Sequence, residues 1–202
     1  MAARLRDLGP WEMLGPTRCR GWTVCDLSYH LLLDAQRSLV ALGTPTAAEP
    51  DRDYRSYWRG WEASVADAQL VRAAAAGFAD PRDPARIWGQ TSAAVLRLAQ
   101  AADPGLRLAT QGHVLGLPDL LATLAVEITV HHLDLLPGRA TEGPGPGPLG
   151  LLERTLDGLL GGSRPPGWDV VSYALKATGR EPLGPEDRAA LGKLAERLPL
   201  FT

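Results

Sequence analysis

Residues 117–136 read LPDLLATLAVEITVHHLDLL, an apolar helical pattern interrupted by ionisable side chains. Leu117, Leu120, Leu121 and Leu124 recur at helical spacing, so one face is apolar and must be buried. Pro118 suits a first helical position, where its missing N–H costs nothing, and Asp119 adds a carboxylate to the positive end of the helix dipole. The predicted helix runs from Pro118 to Leu136 and is stopped by Pro137-Gly138. Continued by its own period, the buried stripe falls on positions 127 or 128, 131 and 135. Two of those core positions carry Glu127 and His131, which lie side by side one turn apart, and Asp134 follows on the same face. A carboxylate or imidazole taken out of water without a partner costs several kcal/mol. Glu-x-x-x-His on an amphipathic helix reads as an ion pair, as a solvated pair, or as two ligands of a divalent cation that takes an oxygen and a nitrogen from adjacent turns.

The chain on either side also reads as helical. Leu27, Leu31, Ala35 and Leu39 mark a helix over Val24–Leu42, started by Thr23 or the turn at Gly21 and stopped at Gly43. Tyr54, Trp58, Trp61, Val65, Ala68 and Ala75 mark a second over Tyr54–Ala76, ending at Gly77. A third is predicted over Ala85–Ala102, closed by Asp103-Pro104-Gly105, and Leu106 to Gly116 reads as short and extended. Gly143 to Pro148 alternates Gly and Pro, a linker composition, and three short helices are predicted beyond it, Leu149–Leu160, Trp168–Thr178 and Pro185–Arg197. The expected organisation is a helical bundle over 1–140, then a linker and a small helical segment over 141–202. The stretch before Trp22 is short, so any first bundle helix there must be brief or partly missing.

A chain of 202 residues can build one good core, or one core with a small appendage. The net charge is −2 with both signs interspersed and no basic stripe, so nucleic acid is not an expected partner. There is no run of about 18 apolar residues, and Arg4, Arg6 and Asp7 occupy the place where a signal peptide would be apolar. The expectation is a soluble cytoplasmic protein with no membrane partner. Cys19 and Cys25 match no common zinc or redox spacing and read as two small buried or half-buried thiols. Basic residues are almost all Arg, with Lys only at Lys176 and Lys193, and 22 Gly and 17 Pro accompany abundant Ala, the usage of a high-GC genome.

A third candidate ligand comes from the first helix, where Asp26-Leu27-Ser28-Tyr29-His30 sets His30 beside the core residues Leu27 and Leu31. A single inward histidine could be a hydrogen-bonded core residue. Two inward histidines and one inward glutamate on separate helices add weight to a metal, though spacing alone leaves both readings open.

The stretch Cys19-Arg20-Gly21-Trp22-Thr23-Val24-Cys25-Asp26-Leu27, followed by His30-Leu31, resembles the opening of the mycothiol-dependent maleylpyruvate isomerase family, part of the DinB/YfiT-like superfamily. In that family a Cys-x-Gly-Trp-Thr-Val turn leads into a helix bearing an Asp and the first metal-ligand histidine. Val126 to Leu135 resembles its second signature, Glu-x-x-x-His with a following Asp, and the likeness spans most of residues 11–136. Ala177-Thr178-Gly179-Arg180 and Arg197-Leu198-Pro199-Leu200 are similar to the family's tail. The resemblance implies a mainly α protein, a DinB-like up-and-down four-helix bundle with a small, mostly helical C-terminal appendage. It also implies zinc, or another divalent metal, held by His30, Glu127 and His131, with water or a thiol at the fourth position. Mycothiol, the low-molecular-weight thiol of actinobacteria, would then be a co-substrate. Its addition to a small electrophile gives isomerisation if the thiol is later expelled and S-conjugation if it stays. The expected partners are that electrophile and that thiol, with the chain a monomer or homodimer.

The neighbours carry two readings each. Asp134 would orient His131 as an outer acceptor, or end the helix in solvent. Asp26, one turn before His30, would be an outer partner of the site, or would suit the helix start by its charge alone. His132 projects about 100° from His131, toward packing or surface. His113 would line a cavity mouth, Trp22 would pack the turn, and Trp58 and Trp61 read as core. No cation lies on the helix from Pro118 to Leu136, so an anionic ligand must find one elsewhere, at Arg180, Arg139 or Arg107. Arg180 otherwise satisfies a helix end. Two further classes stay open. A metal-dependent hydrolase or cyclase would need a general base from Asp134 or His113. A non-catalytic metal- or thiol-responsive regulatory protein would be marked by a missing cavity or by a fourth ligand such as Asp134.

Overall fold

The structure is a computed structural model that describes residues 1–60, 64–135 and 143–201. Two brief helices open the chain, α1 (Ala2–Asp7) and α2 (Pro10–Met13), and their Leu5, Leu8 and Met13 are buried. Helix α3 (Val24–Leu42) has the predicted bounds. Thr23 and Asp26 close a capping box at its start, Thr23 Oγ1 accepting from Asp26 N and Asp26 Oδ2 accepting from Thr23 N, and Gly43 follows its end.

The helix predicted from Tyr54 to Ala76 is instead broken. Only α4 (Val65–Ala75) is a regular helix, capped by Ser64, whose side chain accepts from Asp67 N. Residues 54–60 form turns around a short 3-10 segment, Ser56–Trp58, begun by Asp53 Oδ1, which accepts from Ser56 N at 2.6 Å. Gly60 follows at φ +77°, a left-handed conformation through which no α-helix can run. Trp61 lies outside the described residues.

Helix α5 (Asp83–Ala101) is followed by β1 (Arg107–Thr110) and β2 (His113–Gly116), an antiparallel hairpin over the stretch predicted to be extended. Its two turn residues, Gln111 at φ 47° and Gly112 at φ 79°, match the twist of the flanking strands. Helix α6 (Leu117–Asp134) carries Glu127, His131 and Asp134. The stop expected at Pro137-Gly138 and the boundary expected after residue 140 lie outside the described residues. Helices α7 (Pro146–Leu160), α8 (Val170–Ala177) and α9 (Pro185–Leu191) complete the chain. The single helix predicted over Pro185–Arg197 divides at Gly192, φ +56°, and continues as a 3-10 turn.

Helix α3 packs along α5, with α4 and α6 also against it, which makes the DinB-like four-helix bundle. Leu27, Leu31 and Leu32 of α3 share a core with Ala85 and Trp88 of α5 and with Leu5, Leu8 and Met13. The opposite side of α6 buries Val126, Val130 and Leu133 against Leu152, Leu156, Leu160 and Tyr173 of the C-terminal appendage. Each such leucine contributes roughly 1.5–3 kcal/mol over its exposed state. Helix α6 is thus covered on two sides, which explains why its sequence is apolar nearly all round. No helix among the described residues is long and apolar enough to cross a membrane.

Candidate metal centre

Helix α6 sets Glu127 and His131 one turn apart, and α3 brings His30 to face them. His30 Nε2 lies 2.8 Å from Glu127 Oε1, and His131 Nε2 lies 3.2 Å from the same oxygen. The two imidazole rings meet edge to face at 4.8 Å. The three donor atoms all fall within 4.8 Å of one another, so the trio singled out from the sequence is a cluster in the fold. Two imidazole nitrogens and a carboxylate oxygen suit a borderline divalent ion such as zinc, whose bond lengths of about 2.0–2.2 Å set donors roughly 3.3 Å apart. The residues present therefore fit a metal.

Around this cluster lies a ring of fixed partners. His131 Nδ1 donates to Asp134 Oδ2 at 2.8 Å, which turns Nε2 toward Glu127. Asp134 is 0 % exposed, so it orients His131 and is not a solvated helix end. Arg180 Nε and Nη2 donate to its two oxygens at 3.0 and 3.1 Å, and Cys19 Sγ donates to Oδ2 at 3.1 Å. The loop that carries Cys19 is tied to the end of α6. Arg18 N donates to the Asp134 carbonyl at 2.8 Å, and its guanidinium donates to the Leu133 carbonyl. These bonds satisfy helix-end acceptors that would otherwise lack donors.

The electrostatics follow from this wiring. Burial opposes ionisation of Glu127, but His131 and His30 overcome it and hold the carboxyl well below its usual range. Burial likewise opposes a charged His131, yet Asp134, Cys19 and Glu127 raise its pKa well above the ordinary value. For His30, burial wins and the pKa is lowered against the pull of Glu127. Asp134 is pushed down against its own burial by His131 and Arg180.

The other candidates divide. Arg180 does fold over the bundle, but its guanidinium is committed to Asp134. Asp26 uses its carboxylate in the α3 capping box, with Oδ2 2.7 Å from both Thr23 N and Thr23 Oγ1. His113 sits on the hairpin, its Nδ1 2.8 Å from Asp51 Oδ2, and does not line the cavity described below. Arg107 is on the same hairpin and pairs with Glu49 at 2.6 Å. Arg139 lies outside the described residues.

A cavity of about 830 Å³ opens over the cluster and is walled by Trp22, Arg37, Tyr57, Trp58 and Phe201. Trp22 packs at 5.3 Å on the His30 ring, and Trp58 stacks on Phe201 at 4.6 Å. Among the cavity residues to which sequence reasoning gave no place in the site are Cys19, Arg37 and Asp34. Asp34 had a signal, since His30-x-x-x-Asp34 repeats the one-turn spacing of Glu127 and His131. Cys19 had only its place at the head of the Cys-x-Gly-Trp-Thr-Val turn, because its partners are distant in sequence.

The family described as mycothiol maleylpyruvate isomerase N-terminal domain matches residues 1–136. No curated protein and no solved structure matches the chain.

Proposed function

The chain belongs to the mycothiol maleylpyruvate isomerase N-terminal domain family, and from that premise we propose that it is a divalent-metal-dependent isomerase or transferase that uses mycothiol against a small electrophile. The observation that carries the reading is the cluster of His30, Glu127 and His131, with donor atoms within 4.8 Å, beneath a cavity of about 830 Å³. Zinc suits that donor set best, and three protein ligands with a further position is the pattern of a catalytic site. A divalent ion held by these three residues would lower the pKa of an incoming thiol, so that a thiolate would be the nucleophile at neutral pH.

The chain's own residues then have distinct tasks. Asp134, gripped by Arg180, keeps His131 in the tautomer that presents Nε2 to the site. Trp22, Trp58 and Phe201 supply apolar walls that hold water away from the nucleophile. Arg20 lines the cavity and provides a cation that α6 lacks for an anionic group of thiol or electrophile, and Arg37 beside it is paired with Asp34. The thiol sulfur would bond to an electrophilic carbon of a double bond as its π bond breaks, the thiol's proton ending on the neighbouring atom. Rotation about the single bond followed by loss of thiol and proton would reform the double bond and complete an isomerisation, and retention of both would complete a conjugation. The setting we propose is the cytoplasm, where thiols are kept reduced.

The two bases that the sequence offered for hydrolysis are both taken: Asp134 is committed to His131 and Arg180, and His113 is paired with Asp51 on the hairpin. The roomy cavity also counts against a purely regulatory metal site.

Metal analysis of gently purified protein tests the site: wild type carries about one divalent ion per chain, and His30→Ala and Glu127→Ala lose it. Wild type without stoichiometric metal would overturn the reading. Incubation of metal-loaded protein with mycothiol and a panel of electrophiles tests the reaction, and rates no faster than without enzyme would overturn the thiol chemistry.

A further inference from the structure

We propose that Asp34 is a fourth, exchangeable ligand of the metal bound by His30, Glu127 and His131, an inference that rests on the metal-site reading above. Two carboxylates converge on one nitrogen: Glu127 Oε1 is 2.8 Å and Asp34 Oδ2 is 3.5 Å from His30 Nε2. An imidazole nitrogen has one hydrogen or one lone pair to offer. Glu127, at the shorter distance, takes that bond. Asp34 Oδ2 is left fully covered with no hydrogen-bond partner among the described residues. A buried carboxylate oxygen in that state is costly, and native folds rarely keep one without a partner. A cation held in front of His30 Nε2 would resolve the conflict by giving the Asp34 oxygen a positive charge to face. That oxygen, 3.5 Å from His30 Nε2, lies outside the set of donors within 4.8 Å of one another and would draw in toward the ion to bind it.

Asp34 is one turn beyond His30 on α3 and lines the cavity, so its side chain approaches the cluster from the open side. Its other oxygen, Oδ1, accepts from Arg37 Nη2. Arg37 also lines the cavity, and its side chain is 43 % exposed. The Asp34 carboxylate thus has a second cation at hand, one that competes for it. A ligand with a rival partner is one that an incoming thiol can replace, and Arg37 keeps the released carboxylate neutralised. This is how a fourth protein ligand is compatible with an open cavity and with thiol chemistry.

The test uses the full chain with zinc and with Co(II) as spectroscopic probe. In competition with a chromophoric chelator, Asp34→Asn binds zinc about 10- to 100-fold more weakly than wild type. Its Co(II) visible absorption differs in position or intensity, and its gain in Tm on metal loading shrinks. Arg37→Ala, which frees Asp34 from its rival, binds zinc more tightly, an effect opposite in sign to any damage to the fold. Asp34→Asn with wild-type affinity and wild-type Co(II) spectrum would overturn the inference, as would Arg37→Ala with unchanged or weaker affinity. If wild type loads metal and these variants match it, only the role of Asp34 falls. If wild type takes up no metal, the metal-site reading falls with it.

Discussion

Arg180 grips Asp134 with two hydrogen bonds, Nε to Oδ1 at 3.0 Å and Nη2 to Oδ2 at 3.1 Å, across 46 residues of sequence. This two-pronged pair joins the C-terminal appendage to the helix that bears Glu127 and His131. It also neutralises a carboxylate that is 0 % exposed.

Removing the cation should therefore be costly. Arg180→Ala leaves Asp134 buried beside fewer partners and is expected to destabilise the protein by about 3–5 kcal/mol in urea unfolding. Arg180→Lys keeps the charge but loses the paired geometry, so its loss falls between wild type and Ala. A loss below about 1 kcal/mol for Ala, the scale of a surface pair, would show that the pair matters little.

Asp134→Asn keeps the shape of the side chain but removes the charge that orients His131. Metal affinity, read by chelator competition, is expected to drop about 10- to 100-fold while the far-UV spectrum stays native. Unchanged affinity would mean that His131 is oriented without Asp134.

The site also predicts two pH responses. In the metal-free protein the pKa of His131 is raised, so its stabilising contribution is complete below the unfolded value of 6.5 and is lost as pH rises through the higher folded value. Glu127 and Asp134 are lowered, so their contributions are present above 4.5 and 3.8 and are lost as pH falls through the folded values. Urea midpoints measured against pH should decline on both sides. A metal must also displace the His131 proton, so its affinity should climb by up to about tenfold per pH unit across neutrality. Flat affinity over that span would count against His131 as a ligand.

The two thiols should differ in reactivity. Cys25 is 5 % exposed and burial pushes its thiol up to about 11, so native protein should resist alkylation there. Cys19 lines the cavity and should react first, as mass spectrometry after brief iodoacetamide treatment would reveal. Preferential labelling of Cys25 would contradict the burial seen here.

Much of the fold was legible because helices announce themselves locally. Thr23 and Asp26 cap α3, Pro118 and the leucine stripe mark α6, and both helices lie close to their predicted bounds. The failures were local too. The aromatic spacing of Tyr54 and Trp58 mimicked a helix, but Gly60 at φ +77° breaks it, and Trp58 joins Tyr57 in the cavity wall instead. Gly192 divides the last predicted helix in the same way.

By itself the sequence determined which residues share a helix face, and so put Glu127, His131 and Asp134 together and turned His30 inward. That follows from a period of about 3.6 residues and needs no knowledge of the rest of the chain. Only the tertiary structure decided what those residues meet. His30 reaches Glu127 across 97 positions, and Cys19 reaches Asp134 across 115. The cavity and the convergence of Glu127 and Asp34 on one imidazole nitrogen exist because helices packed at particular angles and a loop was tied down over them. Side-chain partners across such distances are set by packing, which no local spacing encodes.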